Sequence, residues 1–460
     1  MASTTGSPGT KATGVPTSGS ADDVLAVARR AVELARKAGA QEVAALATKS
    51  REVEVTVRDG RIEKLSEATS RDVSFDLYVD GRFSTARTSD LRSEALEAFV
   101  REAVALARTL TVDPHRHLPD PKYYEGRSDV DLEIRDPAHP ARTTEERKRT
   151  AAALEAAARD VPGRDHIVSV LAYVGDGSNE SARVASNGFE GVRRSTHHVI
   201  GADVSVKDQD GRRPEDGAFA MTRFAGDLPD VATLGKDASS RALGRLGSKK
   251  GPSERMAMVI DARAAERFLS MLMGPLSSVS IQQKRSFLEG KLGTAIASPK
   301  LTLVDDPFVR RGLASRHYDD EGMTARKFPI VEAGVLKNFL VSNYYGRKLG
   351  MAPTTQRVSN VVWTLGSKDR AGLLADVKEA ILVTSFLGGN SNGTTGDYSL
   401  GVQGYRVRKG RIEEPVGEMN ISGNHTDTWK ALAAVGNDPY PWSSMRSPSL
   451  LFEGIQFAGT

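Results

Sequence analysis

Alternating runs of apolar and polar residues, separated by Asp-Gly turns, constrain the fold of this chain more than any other feature. Four such runs follow one another between residues 42 and 79: EVAALAT, EVEVTVR, RIEKLSEA and DVSFDLYV. Asp59-Gly60 separates the second run from the third, and Asp80-Gly81 follows the fourth; this dipeptide is the strongest short-range signal for a β-hairpin. Because the side chains of a strand alternate between its faces, the fourth run has one apolar face, formed by Val73, Phe75, Leu77 and Val79. The sequence therefore predicts an antiparallel sheet with one buried face.

Helical spacing on either side of these runs supplies elements that can cover the sheet. Residues 24–39 place Val24, Ala28, Ala31 and Ala35 on one face and end at Gly39, a typical residue just beyond a helix. Residues 90–109 and 143–160 show the same spacing. Further strands are indicated at 166–174, and residues 193–207 (RRSTHHVIGADVSVK) are interpreted as a pair of strands. We therefore expect an α+β fold, with helices packed on antiparallel sheet in the N-terminal region.

The C-terminal half begins with a strand and one strongly amphipathic helix. RMAMVI (255–260) is the strand, and Asp261 is the expected N-cap of the helix. Its apolar residues recur at helical spacing, and these are Ala265, Phe268, Leu269, Leu272 and Met273. Beyond Lys300 the sequence consists mostly of short apolar runs and glycine turns. This part is expected to be β-rich.

Two polar stretches divide the chain. Residues 111–126 are rich in proline, and the basic segment GSKKGP (247–252) follows a helical pattern that starts near residue 230. We predict a disordered tail over 1–20, an N-terminal α+β domain over 21–111, a central α+β region over 127–235 and a C-terminal β-rich domain over 250–460.

Composition excludes several classes of function. The chain has no cysteine, so disulfides, thiol nucleophiles and cysteine-containing metal sites are absent. Its 63 basic and 59 acidic residues are interleaved along the sequence, which argues against direct binding of nucleic acid. No run approaches the ~20 apolar residues of a membrane span, and the first twenty residues lack the apolar core of a secretory signal. A cytoplasmic location without membrane association is the expectation.

None of the eight histidines belongs to a His-Glu-x-x-His motif. His115 and His117 could chelate a metal as an isolated pair, although exposed loop histidines are the favoured interpretation. His197 and His198 are neighbours on a predicted strand and therefore point to opposite faces. The remaining histidines are His139, His166, His317 and His425.

The densest acidic cluster is the triplet Asp319-Asp320-Glu321. Three adjacent carboxylates could bind a divalent cation or hold a catalytic proton. We favour a turn with solvated charges, for which Arg310, Arg311 and Arg316 are the nearby basic partners.

A polar, glycine-rich segment interrupts the strands of the C-terminal half: TSFLGGNSNGTTGDYSLGVQGYRVRKGRIEEP, residues 384–415. Its glycines and asparagines permit positive φ, and its hydroxyls offer donors and acceptors. Two interpretations remain open. The segment binds a peptide by strand addition beside YSLGVQGYRVR, or it is a long ordered hairpin loop packed only on its own protein.

The sequence from Phe386 to Asn424 resembles the C-terminal signature of the TldD/PmbA family, with its Gly-Gly-Asn, Thr-Gly-Asp-aromatic-Ser, Pro-Val and closing Gly-Asn. Three other segments resemble the family in the same order along the chain: EVTVRDGRIEKLSEATSRDVSFDLYVDGR, HYDDEGMTARKFPIVEAGVLKNFLVSNYYGRKLGM and SPSLLFEGIQFAG. The likeness spans nearly the whole chain after residue 20.

This resemblance implies a two-subunit, zinc-dependent protease that cleaves unfolded or small peptides inside an enclosed chamber. The catalytic TldD subunit carries His-Glu-x-x-x-His on a helix of its C-terminal domain, and a cysteine as a third ligand. Colinear matching backward from Leu303 to Asp306 places that motif near Leu269–Gly274, where this chain has LSMLMG. The chain therefore resembles the non-catalytic TldE/PmbA subunit, with no catalytic residue, metal ligand or cofactor of its own. Zinc is expected in a TldD-like partner.

The resemblance also implies which residues line the peptide chamber or the subunit interface: Gly388, Gly389, Asn390, Asn392, Thr394, Thr395, Asp397 and Ser399. Other classes of function stay open. They are a self-sufficient peptidase that uses the acidic triplet or a histidine, a regulator of DNA gyrase and DNA topology, and a homo-oligomeric pseudoenzyme.

Overall fold

The computed structural model of the chain describes residues 23–459, so the predicted tail over 1–20 lies outside the described residues. Its N-terminal half is built on one six-stranded antiparallel sheet with the order β3-β2-β1-β4-β5-β6. The strands are β1 Glu42–Arg58, β2 Arg61–Val79, β3 Arg82–Thr88, β4 Ile167–Ala185, β5 Glu190–Val206 and β6 Glu215–Thr222. The two Asp-Gly pairs form the turns between β1, β2 and β3, as predicted.

Four helices cover one face of this sheet: α1 Val24–Lys37, α2 Ser93–Ala107, α3 Thr144–Arg159 and α4 Val231–Leu243. Asp23 caps α1 by accepting a hydrogen bond from the Leu25 amide at 3.0 Å. The apolar faces predicted for α1 and β2 are buried, and α1 and α2 pack together on the sheet. The pair α3 and α4 forms a second apolar cluster on the same face, over β4, β5 and β6.

The strands are longer than the sequence pattern indicated. The two runs at 42–58 belong to the single strand β1, and residues 193–207 lie within the single strand β5 and are not a strand pair. Alternation fails at the polar residues around Ser50, but main-chain pairing does not depend on it. Ser50 is opposite Ser70 on one side and Asn179 on the other, and its hydroxyl lies 2.7 Å from that of Ser70.

The C-terminal half contains a seven-stranded sheet that closes on itself. Its order is β16-β17-β8-β13-β14-β15-β7, and an additional pairing of β17 with β15 forms a barrel. The strands are β7 Lys249–Lys250, β8 Arg255–Ile260, β13 Glu379–Ser391, β14 Asp397–Arg408, β15 Arg411–Asn424, β16 Leu432–Val435 and β17 Leu450–Ala458. The chain segment that connects β8 to β13 contains four further strands, which form a separate small sheet. They are β9 Leu303–Asp306, β10 Phe328–Glu332, β11 Val335–Leu336 and β12 Asn360–Trp363.

Helix α5 (Ala262–Met273) follows β8 directly, with Asp261 as its N-cap and Gly274 at its end. Its predicted apolar stripe is buried, and it joins the barrel strands in the largest apolar cluster of the described residues. The other helices of this half are short: α6 Ser278–Gln282, α7 Asn343–Leu349, α8 Arg370–Ala375 and α9 His425–Lys430. The α+β prediction is confirmed.

Within residues 23–459, no helix is long and apolar enough to cross a membrane.

Candidate functional site

The glycine-rich segment singled out in the sequence forms the tip of the β13–β14 hairpin. Asn390 pairs with Ser399, and a bulge separates this pair from Leu387. Gly388 and Gly389 form the bulge with φ angles of 53° and 95°. A Cβ atom on Gly389 would lie 2.2 Å from the carbonyl oxygen of Ser399, so only glycine fits there.

Hydrogen bonds within the tip hold the turn from Asn392 to Asp397. The Asn392 side-chain oxygen accepts from the Thr394 amide at 2.9 Å, and the Asn392 amide donates to the Asp397 carbonyl at 2.8 Å. Asp397 also accepts from the Thr395 hydroxyl at 2.7 Å and from the Asn424 amide group at 3.0 Å. These two bonds lower the pKa of the Asp397 carboxyl. The turn is an ordered structure.

The tip is also fastened to its own domain. The Gly393 carbonyl accepts from the Phe287 amide at 2.8 Å, and the Gly396 carbonyl accepts from the His425 amide at 2.7 Å. Arg267 of α5 donates to the carbonyl oxygens of Phe386 at 3.0 Å and Gly388 at 3.3 Å. This places a rigid hairpin tip beside the end of α5.

Strand addition beside YSLGVQGYRVR is wrong as a binding mode, because β14 already pairs with β13 on one side and β15 on the other. The side chains at the tip nevertheless face solvent. Those exposed among the predicted site residues are Asn390, Asn392, Thr394, Thr395, Asp397 and Ser399. The side chains of Asn392, Thr395 and Asp397 form hydrogen bonds within the turn. The side chains of Asn390, Thr394 and Ser399 are therefore the ones available for contacts with another molecule.

Beneath the tip lies a buried histidine that the sequence did not connect to it. His425, at the start of α9, has its Nε2 atom 2.9 Å from the Ser391 hydroxyl, and its ring stacks on Phe287 with a centroid separation of 5.9 Å. Its Nδ1 atom is buried and has no hydrogen-bond partner among the described residues. Burial lowers the pKa of His425 to about 4, so the ring is neutral near pH 7.

The helix face where the family's zinc motif would lie is filled with aromatic packing. Phe268 of α5 is fully buried and contacts five rings with centroid separations of 5.3–5.8 Å: Phe386, Tyr398, His425, Trp429 and Phe452. Leu269, Leu272 and Met273 complete the stripe. In the described part of the chain no three His, Cys, Asp or Glu side chains converge as metal ligands. These residues do not fit a zinc ion, which needs nitrogen, oxygen or sulfur donors.

An open cleft of about 850 Å³ separates α4 and the 212–216 segment from the outer face of β13, β14 and β15. Leu387, at the base of the hairpin, lines it. Six arginines and five acidic residues also line it, namely Arg212, Arg213, Arg241, Arg245, Arg263 and Arg370, and Glu215, Asp216, Asp237, Asp261 and Glu418. The charges nearly cancel, so the cleft is suited to a ligand that carries both donors and acceptors.

Most of the cleft's arginines are held by carboxylates. Asp216 accepts from Arg245 at 2.8 Å and from Arg263 at 3.3 Å, and Arg241 binds Asp237 one helical turn away at 2.8 Å. Arg263 also reaches the carbonyl of Gly217 at 3.0 Å, which ties α5 to the central region. The i, i+4 spacing of Asp237 and Arg241 on α4 was the only sequence signal for this cleft.

The acidic triplet does not form a solvated turn. Asp319 is 3% exposed and accepts hydrogen bonds from the amides of Glu321 and Met323 at 2.9 and 3.0 Å. Burial raises the pKa of Asp319 to about 6 and that of Glu321 to about 7. The prediction was wrong for these two residues because the turn packs against aromatic side chains of the N-terminal half, including Phe189 in the turn between β4 and β5. Asp320 alone is exposed.

Of the expected basic partners of the triplet only Arg316 lies close to it, and its positive charge partly offsets the rise in the pKa of Asp319. Arg310 and Arg311 both bind Glu133 in the segment before α3. Arg316 is buried and donates to the Thr355 hydroxyl at 3.1 Å. No divalent-cation site is formed by the triplet in the described residues.

His197 and His198 lie on opposite faces of β5, as the strand pattern predicted, and His139 contacts one of them. His197 is half-exposed beside Glu52, whereas His198 is fully buried beside Asp136, with N–O distances of 3.2 Å in both cases. The fold brings His139 to His198, with ring centroids 5.5 Å apart, which no sequence spacing indicated. His117 contacts Glu42 at 3.2 Å.

Three models of one family match successive parts of the chain. They are described as PmbA/TldA metallopeptidase domain 1 (residues 43–107), central domain (138–246) and C-terminal domain (253–459). Metalloprotease PmbA of Escherichia coli O157:H7 is 28% identical over 93% of this chain and 94% of its own length. The Metalloprotease PmbA homolog of Haemophilus influenzae is 27% identical, with the same coverage of both chains.

Solved structures are also similar to this chain. A protein of Bacteroides thetaiotaomicron, described as a candidate modulator of DNA gyrase, superposes with a TM-score of 0.91 at 35% identity, over 94% of this chain and 98% of its own. TldE from Thermococcus kodakarensis superposes with a TM-score of 0.84 at 19% identity, over 94% of this chain and all of its own; at that identity it shows the fold alone. The chain therefore belongs to the PmbA/TldD metallopeptidase family.

Proposed function

We propose that this chain is the non-catalytic, TldE/PmbA-like subunit of a heteromeric zinc metalloprotease that processes or degrades peptides. Its role is to assemble with a TldD-like catalytic subunit and to form part of the peptide chamber. The observation that carries this proposal is the packing of α5. The family resemblance places the zinc-binding motif near Leu269–Gly274, and the adjoining Phe268 is surrounded by five aromatic rings.

The rigid hairpin tip supports a role at the chamber wall or the subunit interface. Its hydrogen bonds hold Asn390, Thr394 and Ser399 in fixed, exposed positions, and fixed polar groups bind at a lower entropic cost than mobile ones. All eight predicted residues, from Gly388 to Ser399, are part of this proposal.

The adjoining cleft supports contact with an unfolded or small peptide. A volume of about 850 Å³ is in the upper range of ligand sites. A peptide offers amide donors and carbonyl acceptors at every residue, which matches a wall that contains both arginines and carboxylates.

Co-expression with a TldD-like protein tests the proposal. We expect a heteromer by native mass spectrometry, zinc in the partner only, and peptide cleavage only when both subunits are present. Zinc bound stoichiometrically by this chain alone would contradict the proposal, as would metal-dependent cleavage by it alone.

One observation favours a second candidate, a self-sufficient peptidase. Ser391 and His425 are within hydrogen-bond distance, as a nucleophile and its base must be. Two features count against it: the low pKa of His425 makes it a weak base, and its Nδ1 atom has no orienting group in the described residues. Peptide cleavage by the purified chain in the presence of chelator, abolished in Ser391→Ala, would establish it.

A further inference from the structure

A second, smaller cavity lies on the helix-covered face of the N-terminal sheet, away from the hairpin tip. It measures about 270 Å³ and is lined by β1, the edge of β2, β4, β5 and the segment before α3. Helices α1 and α2 cover the sheet on one side of it, and α3 and α4 cover the other side. The cavity is therefore a gap in the helix layer, with the strands as its floor.

Cations outnumber acids in its lining, but most of them are already paired. Four cationic side chains line it, those of Lys49, Arg51, Arg135 and Arg194, against two acidic ones, Asp136 and Glu180. Arg51 pairs with Glu67 at 2.8 Å and Arg194 with Glu180 at 2.6 Å, and Lys49 is also engaged. Arg135 is therefore the cation of this lining that is available to a ligand.

The two acids are already engaged. Asp136 accepts from the amides of Ala138 at 2.9 Å and Ala225 at 3.1 Å, which turns both of its oxygens toward the wall. Glu180 accepts from Arg194 at 2.6 Å and so holds that guanidinium in place. Neither carboxylate would be displaced by a small anion.

Several donors that line the cavity are unused. The side chains of Thr69, Arg135, Ser178, Asn179 and Ser195 line it. None of them forms a side-chain hydrogen bond or ion pair within residues 23–459. Hydroxyls, an amide and a guanidinium form the donor set that binds oxyanions, and arginine is favoured wherever carboxylate or phosphate is recognised.

We propose that this cavity binds a small oxyanion, a phosphate or carboxylate group, with Arg135 as the cation that closes on it and Ser178, Asn179 and Ser195 as neutral donors. The volume lies just below the range of drug-sized ligands, so the anion is a free ion or the end group of a small molecule. This site is independent of the proposed function, because it shares no lining residue with the cleft beside the hairpin tip.

The test is calorimetric titration of the full chain at low ionic strength with inorganic phosphate, and in a second arm with succinate. We expect saturable binding of one anion per chain. The arm with the tighter binding identifies the source of the oxyanion.

Arg135→Gln is expected to weaken binding by about tenfold or more, since a hydrogen bond to a charged group is worth about 1.5–3 kcal/mol. Arg213→Gln is the matched control: this exposed arginine in the larger cleft should leave the affinity unchanged. Because Arg135 is exposed, its loss should not affect folding, and circular dichroism checks this. The proposal is overturned if neither anion binds saturably, or if both variants weaken binding equally.

Discussion

Asn390 and Asn392 lie two residues apart on the same hairpin tip, but their side chains differ in function. The side chain of Asn392 accepts from the Thr394 amide and stabilises the turn, whereas that of Asn390 is exposed and has no hydrogen-bond partner among the described residues. The proposed function therefore predicts different consequences for the two alanine variants.

We expect Asn390→Ala to lower peptide cleavage by the assembled heteromer without changing the melting temperature of this chain. Asn392→Ala should lower its free energy of unfolding by about 1 kcal/mol, the usual net worth of one hydrogen bond. Cleavage rates and thermal unfolding of both variants give the comparison. If Asn390→Ala leaves cleavage by the heteromer unaffected, the hairpin tip has only a structural role.

The carboxyl of Glu321 predicts a pH dependence of stability. Burial raises its pKa from 4.5 to about 7 in the folded chain, so the native state holds the proton more tightly than the unfolded state. The stabilisation is therefore complete below about pH 4.5 and is lost as the pH rises through about 7. Glu321→Gln should match the parent chain near pH 4 and exceed its stability by about 1–3 kcal/mol at pH 8.

Urea unfolding at pH 4, 6 and 8 measures that difference, with the exposed neighbour as control in Asp320→Asn. Burial lowers the pKa of His198 and His425 to about 4, so the stability that these two neutral histidines contribute is lost as the pH falls. This loss is the same in the parent chain and the variant and therefore cancels in the comparison. A stability difference independent of pH would show that Glu321 is ionised in the fold.

At the scale of elements, the β13 bulge offers a matched pair of glycines. Both have positive φ, but a Cβ atom on Gly388 would meet nothing within 4 Å, whereas one on Gly389 would strike the Ser399 carbonyl. Gly388→Ala should therefore cost about 1–2 kcal/mol, the usual penalty of left-handed backbone. Gly389→Ala should cost more, because the two strands must also separate. Chemical denaturation measures the free energy of unfolding of the two variants. Equal losses of stability would mean that the bulge adjusts to a Cβ atom at either position.

Helix α5 is predicted to be a packing element and not a metal-binding one. Phe268→Ala should lower the free energy of unfolding by about 3–5 kcal/mol, as for other large buried aromatics, with no dependence on zinc or chelator. The control is Ser270→Ala on the exposed face of the same helix, which should change it by less than about 0.5 kcal/mol. A loss of stability on adding chelator to the parent chain would contradict this view of α5.

Periodicity in the sequence predicted these elements well where one face is buried. The stripes of α1 and α5 and the alternation in β2 follow directly from burial of one side. It failed where a strand continues through polar residues, as around Ser50, because pairing on both sides stabilises the backbone whatever the side chains are. It also failed at Asp319 and Glu321, because their burial depends on side chains more than 100 positions away, such as Phe189.

At the scale of the whole molecule, the candidate site was only partly predictable. The hairpin tip is contiguous in sequence, so its composition indicated it. The cleft and the smaller cavity draw their residues from separate elements, and no local pattern joins Arg135 to Arg194 or Arg241 to Arg370. Their proximity is a consequence of topology.

Arginine side chains connect the central region to the C-terminal half. Arg223 donates to the carbonyls of Leu313 and, at 3.3 Å, of Gly312, both in the C-terminal half, and to that of Thr196 in β5 at 3.0 Å. Arg193 donates to the carbonyl of Tyr318 at 2.6 Å. Burial lowers the pKa of Arg223 to about 10, so it keeps its charge near pH 7. We expect the two halves to unfold together.

Arg223→Met removes these contacts and leaves carbonyls without a donor. Its thermal unfolding should separate into two transitions in calorimetry, whereas the parent chain shows one. Arg310→Met, at an exposed pair with Glu133, is the control and should keep a single transition, because exposed pairs contribute little. Two transitions already in the parent chain would show that the halves are independent.

The strand order of the barrel has a consequence for synthesis on the ribosome. Both neighbours of β8 follow it in the chain, since β13 begins at Glu379 and β17 at Leu450. At ~5–20 residues per second, roughly 10–40 s pass between the emergence of β8 and that of β17. During this interval Met258 and Ile260 have no complete core to enter, and the nascent domain presents an apolar strand with open edges. The barrel can therefore close only after β17 has emerged, and until then β8 lacks one of its two neighbours.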